Sequence, residues 1–124
     1  MIKSIAYDFD GTLATTAYPV VGKQYWIHKL ICYRLKKLHD RGVFIIINSL
    51  RDEKNNKDNG DAHRTMLKWL TDNRIPFDLV NDNQPEATAK WGYARKVNAD
   101  RYVDDRNIGL IGIILRYYNN RANK

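Results

Sequence analysis

A chain of 124 residues has room for one packed core, so a single domain over residues 1–124 is expected, and its one cysteine excludes an intramolecular disulfide. Its 21 Lys and Arg against 14 Asp and Glu give a net charge of +7, which favours anionic partners: phosphorylated substrates, nucleic acid or acidic proteins. No long apolar run suggests a membrane span, the first residues read as a strand ending in acids and not as a signal peptide, and the expected location is the cytoplasm.

Ile2, Ile5, Ala6 and Tyr7 form a short, mostly apolar run that reads as a buried strand. The run ends in two carboxylates, Asp8 and Asp10, followed by Gly11-Thr12. Residues two apart on a strand point the same way, and a turn at Gly11 lets both acids converge on one small volume. Two nearby carboxylates repel, so a cation or a shared proton belongs between them, and hard oxygen ligands favour Mg²⁺. An acidic loop after a strand is the plain alternative for Asp-x-Asp alone.

Ala14 to Lys23 is an irregular connection with Pro19 and Gly22. From Tyr25 to Asp40 the apolar residues Ile27, Leu30, Ile31, Leu35 and Leu38 recur at helical spacing, and Arg41-Gly42 ends the pattern. Cys32 lies within this stretch and reads as a buried structural thiol. Val43 to Ile47 has no polar break, which suits a central parallel strand covered on both faces. Strand, helix and strand make a right-handed crossover unit. Ser49 follows that strand, where serine commonly serves turn chemistry. Arg51, two residues on, is a cation beside that strand end or simply an exposed loop residue.

Asp52 to Asp61 is polar throughout and reads as an exposed loop, with Asp61 as cap of a helix whose apolar face is Ala62, Met66, Trp69 and Leu70. Ile75 to Val80 reads as a third strand with Pro76 near its start. Asn81 to Pro85 is a polar loop, and Glu86 to Val97 is compatible with a helix apart from Gly92. Arg101-Tyr102-Val103 reads as a fourth strand, ending again in paired acids, Asp104-Asp105. From Ile108 to Lys124 either a fifth strand or a final helix fits. Its aromatics and arginines offer stacking for bases, or packing on the sheet. In open α/β sheets the strand C-termini share one edge, where ligands bind.

The string Asp8-Phe9-Asp10-Gly11-Thr12-Leu13 resembles the signature of the haloacid dehalogenase superfamily, whose members are mostly phosphoryl-transfer enzymes with an aspartate nucleophile. The resemblance spans nearly the whole chain. It is nearest to small bacterial and phage hydrolases whose last motif reads Asp-Asp-Arg-Asn, here Asp104-Asp105-Arg106-Asn107. Departures are modest: Asn48 stands between the second strand and Ser49, and the 52–61 loop is long and polar. The resemblance implies a Rossmann-like three-layer α/β/α fold around a mainly parallel sheet. Only roughly thirty residues separate Thr12 from Val43, and two helices and a strand fill the interval from Ser49 to Lys96. Neither interval has room for a cap domain, so the site is expected to be open, covered if at all by its substrate or by a neighbouring copy in a homo-oligomer.

The implied activity is that of a Mg²⁺-dependent phosphatase working through an aspartyl-phosphate. Asp8 would be the nucleophile and Asp10 the acid and base. Ser49 and Lys96 would hold the phosphoryl group, with Lys90 and Arg95 as neighbours able to replace Lys96. Gly11, Thr12, Ser49, Leu50 and Arg51 would line the phosphate. The metal set is Asp8, Asp10 through its backbone carbonyl, and Asp104, with Asp105 in support. Arg51, Lys54, Lys57 and Arg64 would draw a polyanion, so the expected substrate is a phosphorylated small molecule, a nucleotide or a nucleic-acid end. Two other readings differ in class. A receiver-type signalling domain has similar residues, but its paired acids follow the first strand. A non-catalytic binding protein for phosphorylated or nucleic-acid partners would keep the motif without turnover.

Overall fold

The computed structural model describes residues 2–52, 60–91 and 97–123. The chain order is β1 (Ser4–Asp8), β2 (Thr16–Ala17), β3 (Val20–Val21), α1 (Trp26–Asp40), β4 (Phe44–Asn48), α2 (Asp61–Asp72), β5 (Leu79–Val80), α3 (Pro85–Trp91), β6 (Arg101–Val103) and α4 (Leu110–Ala122). A four-stranded sheet in the order β5-β4-β1-β6 forms the centre, with every neighbouring pair parallel. Helices flank it, so the architecture is the expected α/β one with a central parallel sheet.

The register explains where a site can form. Asp8 lies beside Asn48, and Tyr7 beside Val103, so β1, β4 and β6 end together at one edge. From β1 the chain builds outward through β4 to β5, then returns to place β6 on the other side of β1. This reversal opens a crevice at the carboxyl ends of the strands. Asp100 fastens the opposite end of the β1–β6 seam by accepting the Lys3 and Ser4 N–H groups at 2.7 and 3.2 Å.

Ser4 to Tyr7 is buried on both faces, and Ile45, Ile46 and Ile47 of β4 are fully buried. Ile5, Tyr7, Ile45 and Ile47 share one core with Ile27, Ile31 and Leu35 of α1, Met66 and Leu70 of α2, and Leu115 of α4. Ala6 and Ile46 face the other way, toward Val97, Phe44 and Leu79. Cys32 is buried in the first core, and burial pushes its thiol up to about 11, as fits a structural cysteine.

Several elements differ from expectation. The third strand is confined to Leu79–Val80, because Arg74 takes a φ of 55° and Ile75 turns back to donate to the Leu70 carbonyl at 2.9 Å. Asp78 extends the pairing instead, its carboxylate accepting the Ile45 N–H at 2.8 Å. The buried face of α1 is Ile27, His28, Ile31, Cys32 and Leu35, while Leu30 is exposed. Gly60, and not Asp61, is the N-cap of α2; Asp61 instead pairs with Arg64 one turn on. The helix expected to reach Val97 is described as far as Trp91. The C-terminal stretch is a helix, α4, whose Leu115 enters the main core. The connection after the first strand carries a small antiparallel hairpin, β2–β3, which packs against α2.

Candidate functional site

Three acids converge where the sheet reverses. Asp8 is the last residue of β1, and Asp104 and Asp105 follow β6 directly. One carboxylate oxygen from each of the three lies within 4.8 Å of the others. Burial, then the charges of Asp104, Asp105 and Asp10, push the Asp8 carboxyl up to about 8. Asp105 is raised to about 6 by burial and by Asp104. Half-buried carboxylates at this spacing are an all-oxygen donor set suited to a hard divalent cation, whose charge offsets their repulsion. The acids border a cleft of about 600 Å³ that Asp10, Ser49 and Arg106 also line.

The Asp8 loop is built by its glycine and threonine. Gly11 has a φ of +88°, and a side chain there would run into the Asp105 carboxylate, with a Cβ only 2.5 Å from Oδ2. Thr12 is fully buried; its hydroxyl reaches toward Asp8 Oδ2 at 3.5 Å and accepts the Asp105 N–H at 3.1 Å. Gly11 and Thr12 thus shape the acidic cluster from beneath.

A buried polar chain supports the same turn. The Tyr25 N–H donates to His28 Nδ1 at 3.0 Å, so Nε2 carries the ring proton and donates to Asn119 Oδ1 at 3.0 Å. Asn119 Nδ2 then donates to the Gly11 carbonyl at 2.8 Å and reaches Asp105 Oδ2 at 3.4 Å. Burial lowers the His28 pKa below 6.5, which keeps the ring neutral as this arrangement requires. Arg116, one turn before Asn119, donates to the carbonyls of Asp105 and Asn107, both at 2.8 Å. The terminal helix therefore braces both acidic segments.

Arg51 occupies neither of its expected places. Its side chain has 0% exposure, and its Nε and Nη2 donate to the two oxygens of Asp10, each at 2.8 Å. It is neither a solvated loop residue nor a free cation facing the cleft. Asp10 accordingly stands outside the triad of carboxylates, its own carboxylate held by arginine. Ser49 lines the cleft with its backbone secured: its N–H donates to Asn81 Oδ1 at 2.6 Å, and its Oγ accepts the Arg51 N–H at 3.0 Å. Leu50, between two anchored neighbours, is 94% exposed and borders the cleft. Lys96, Arg95, Lys54 and Lys57 lie outside the described residues. Lys90 is exposed in the last turn of α3. Arg64 is ion-paired with Asp61, so the expected polyanion rim loses both Arg51 and a free Arg64.

Residues absent from the site expectations are His28, Asn81 and Asn119; Arg116, expected among the tail groups able to stack on bases, holds the carbonyls of Asp105 and Asn107. Asn81 has a φ of 54°, a conformation that asparagine tolerates, and this aims its side chain back at Ser49. An Asn directly after a strand was the available signal. His28 and Asn119 carry none, since a polar residue on a helix normally faces water.

No family model matches the chain, and no curated protein matches it. Among solved structures it is similar to a conserved protein coded by a locus of Bacteroides thetaiotaomicron. The two share 27% identity over 98% of this chain and 93% of that one, with a TM-score of 0.69.

Proposed function

We propose that the chain is a phosphomonoester hydrolase of the haloacid dehalogenase type, dependent on Mg²⁺ and working through an aspartyl-phosphate. The observation that carries this reading is the convergence of Asp8, Asp104 and Asp105 at the switch point of a parallel sheet. Asp8, Asp104 and Asp105 would hold the cation, together with the Asp10 backbone carbonyl. When bound, Mg²⁺ orients the phosphate and offsets negative charge.

The remaining chemistry belongs to side chains of this chain. In the first step an Asp8 carboxylate oxygen attacks phosphorus, the bond from phosphorus to the leaving oxygen breaks, and a proton passes from the Asp10 carboxyl to that oxygen. In the second step the Asp10 carboxylate takes a proton from water. The water oxygen attacks phosphorus, the acyl-phosphate bond breaks, and Asp8 and inorganic phosphate are released. The Ser49 hydroxyl, held at the cleft wall, donates to a phosphoryl oxygen. Lys96 is the proposed cation for the phosphoryl group, on the resemblance alone.

The proposed substrate is a nucleotide or phosphorylated nucleic-acid end, supported by the net charge of +7, by Arg106 at the cleft and by the half-exposed Tyr18 ring beside it. Assays with and without Mg²⁺, over nucleotides, oligonucleotide 3′- and 5′-phosphates and sugar phosphates at low and high salt, test both halves. No Mg²⁺-dependent release of phosphate from any of them would sink the phosphatase reading. A sugar phosphate preferred at both salts would sink the substrate assignment, because an electrostatic preference fades once charges are screened beyond about 8–10 Å.

A further inference from the structure

A guanidinium removed from water needs a partner for every N–H, and Arg51 has them all. Nε and Nη2 fork onto the two oxygens of Asp10, each at 2.8 Å. Nη2 also donates to the Val20 carbonyl at 2.8 Å, and Nη1 to those of Pro19 and Ala62 at 2.7 and 3.1 Å. The rings of Phe9 and Tyr18 lie 5.3 and 5.2 Å from the guanidinium carbon. Its backbone is held too, by Ser49 Oγ at the N–H and by His63 Nδ1, 2.9 Å from its carbonyl.

These acceptors come from three separate places: the turn after β1, the connection spanning the β2–β3 hairpin, and the first turn of α2. We propose that Arg51 is a positioning residue that sets the orientation of Asp10 and ties it to the seated position of the β2–β3 hairpin. This rests on the acid–base role given to Asp10 above. A side-on fork through Nε and Nη2 spends one lone pair of each carboxylate oxygen and fixes the torsions of the group. The remaining lone pairs serve the cleft, which Asp10 lines with its side chain 22% exposed.

The coupling runs both ways. Lifting the hairpin strips two carbonyls from a buried cation, and turning Asp10 away strips its counter-charge. The connection after β1 is therefore an anchored wall whose seating and whose neighbouring acid move together. Lysine cannot replace this arginine, since its three donors radiate from one nitrogen and cannot span a carboxylate and three carbonyls.

The test uses the full chain with Arg51→Lys and Arg51→Met. Rates with an aryl phosphate, whose phenolate leaves without help, are compared with those for an alkyl phosphate, whose alkoxide needs a proton. Amide exchange of residues 16–21 is followed in parallel. Both variants are expected to lose about tenfold or more on the alkyl substrate beyond any loss on the aryl one, within the range of a general acid's contribution. Exchange in the hairpin is expected to rise at least as much. Equal losses on both substrates, or full rescue by lysine, would overturn the positioning role; unchanged hairpin exchange would overturn the coupling. Should the wild-type chain show no phosphatase activity, the parent reading fails separately. The clamp is then decided by hairpin exchange and by a thermal double-mutant cycle between Arg51→Lys and Asp10→Asn, in which simple additivity overturns it.

Discussion

The backbone N–H of Asp105 donates to the hydroxyl of Thr12 across 93 positions of sequence, and the same hydroxyl reaches toward Asp8. One buried threonine thus joins the two acidic segments and holds their carboxylates near one another. Preformed repulsion of this kind has measurable consequences.

Asp8→Asn is expected to lower turnover at least 100-fold, because it removes the proposed nucleophile while the Asp10 carboxylate nearby is held by Arg51. The same variant is expected to melt higher than wild type without metal, since it removes a carboxyl that the fold forces to take up a proton or to stay ionised against burial and its acidic neighbours. A gain of 1 kcal/mol corresponds to roughly 4 °C for a domain of this size. Steady-state rates and circular dichroism melts check both halves; retention of more than a few per cent of activity excludes Asp8 as nucleophile.

Metal-free stability is expected to fall as pH rises. Asp8 and Asp105 titrate near 8 and 6 when folded, above the 3.8 of an ordinary aspartate, so the folded chain binds these protons more tightly. Their contribution is complete below pH 3.8 and is lost as pH climbs through the folded values. His28 acts oppositely, being held neutral when folded, and its cost appears only below pH 6.5. Between pH 6.5 and 8 Asp8 dominates, and melting temperatures in EDTA should decline there. A flat or rising curve contradicts the crowding of Asp8.

Mg²⁺ should reverse that trend by binding the ionised acids. The gain is about 2.7 kcal/mol at a hundredfold excess over Kd. Asp104→Asn should weaken this response by removing one of the three oxygens, while leaving the metal-free melt equal or higher. Identical melting curves of the wild type with EDTA and with Mg²⁺ count against the cation site.

Asn119→Leu should destabilise the chain by about 2–4 kcal/mol. It strands the His28 Nε2–H and the Gly11 carbonyl in the interior, each at about 1–3 kcal/mol, with partial relaxation. Because Gly11 belongs to the turn that carries the proposed acid–base residue Asp10, kcat should drop as well, although Asn119 lies outside the cleft lining. Chemical denaturation and steady-state rates measure the two effects; a variant with wild-type values in both refutes the bracing role.

The strand ends were readable because each apolar run stops abruptly at polar residues: Tyr7 at Asp8, Ile47 at Asn48-Ser49, Val103 at Asp104. Periodicity reports which face an element buries, so the main core followed too, apart from Leu30, which sits off the stripe of Ile27, Ile31 and Leu35. Arg51 was not readable, because its burial depends on acceptors from segments remote in sequence. His28 and Asn119 were hidden likewise: each is buried only because the other is there. Asn81 depends on a local positive φ that residue type permits but does not demand.

The pairing of β6 with β1 also bears on how the chain reaches its final form. Lys3 must find Asp100, 97 positions away, before this seam can close, and long closures of this kind come late and slowly. The same closure carries Asp104 and Asp105 up to Asp8, so the last approach is made uphill against like charge. Refolding at neutral pH is therefore expected to slow when divalent cations are chelated and to quicken in mild acid. A cluster suited to chemistry in the finished molecule acts, during its assembly, as a brake.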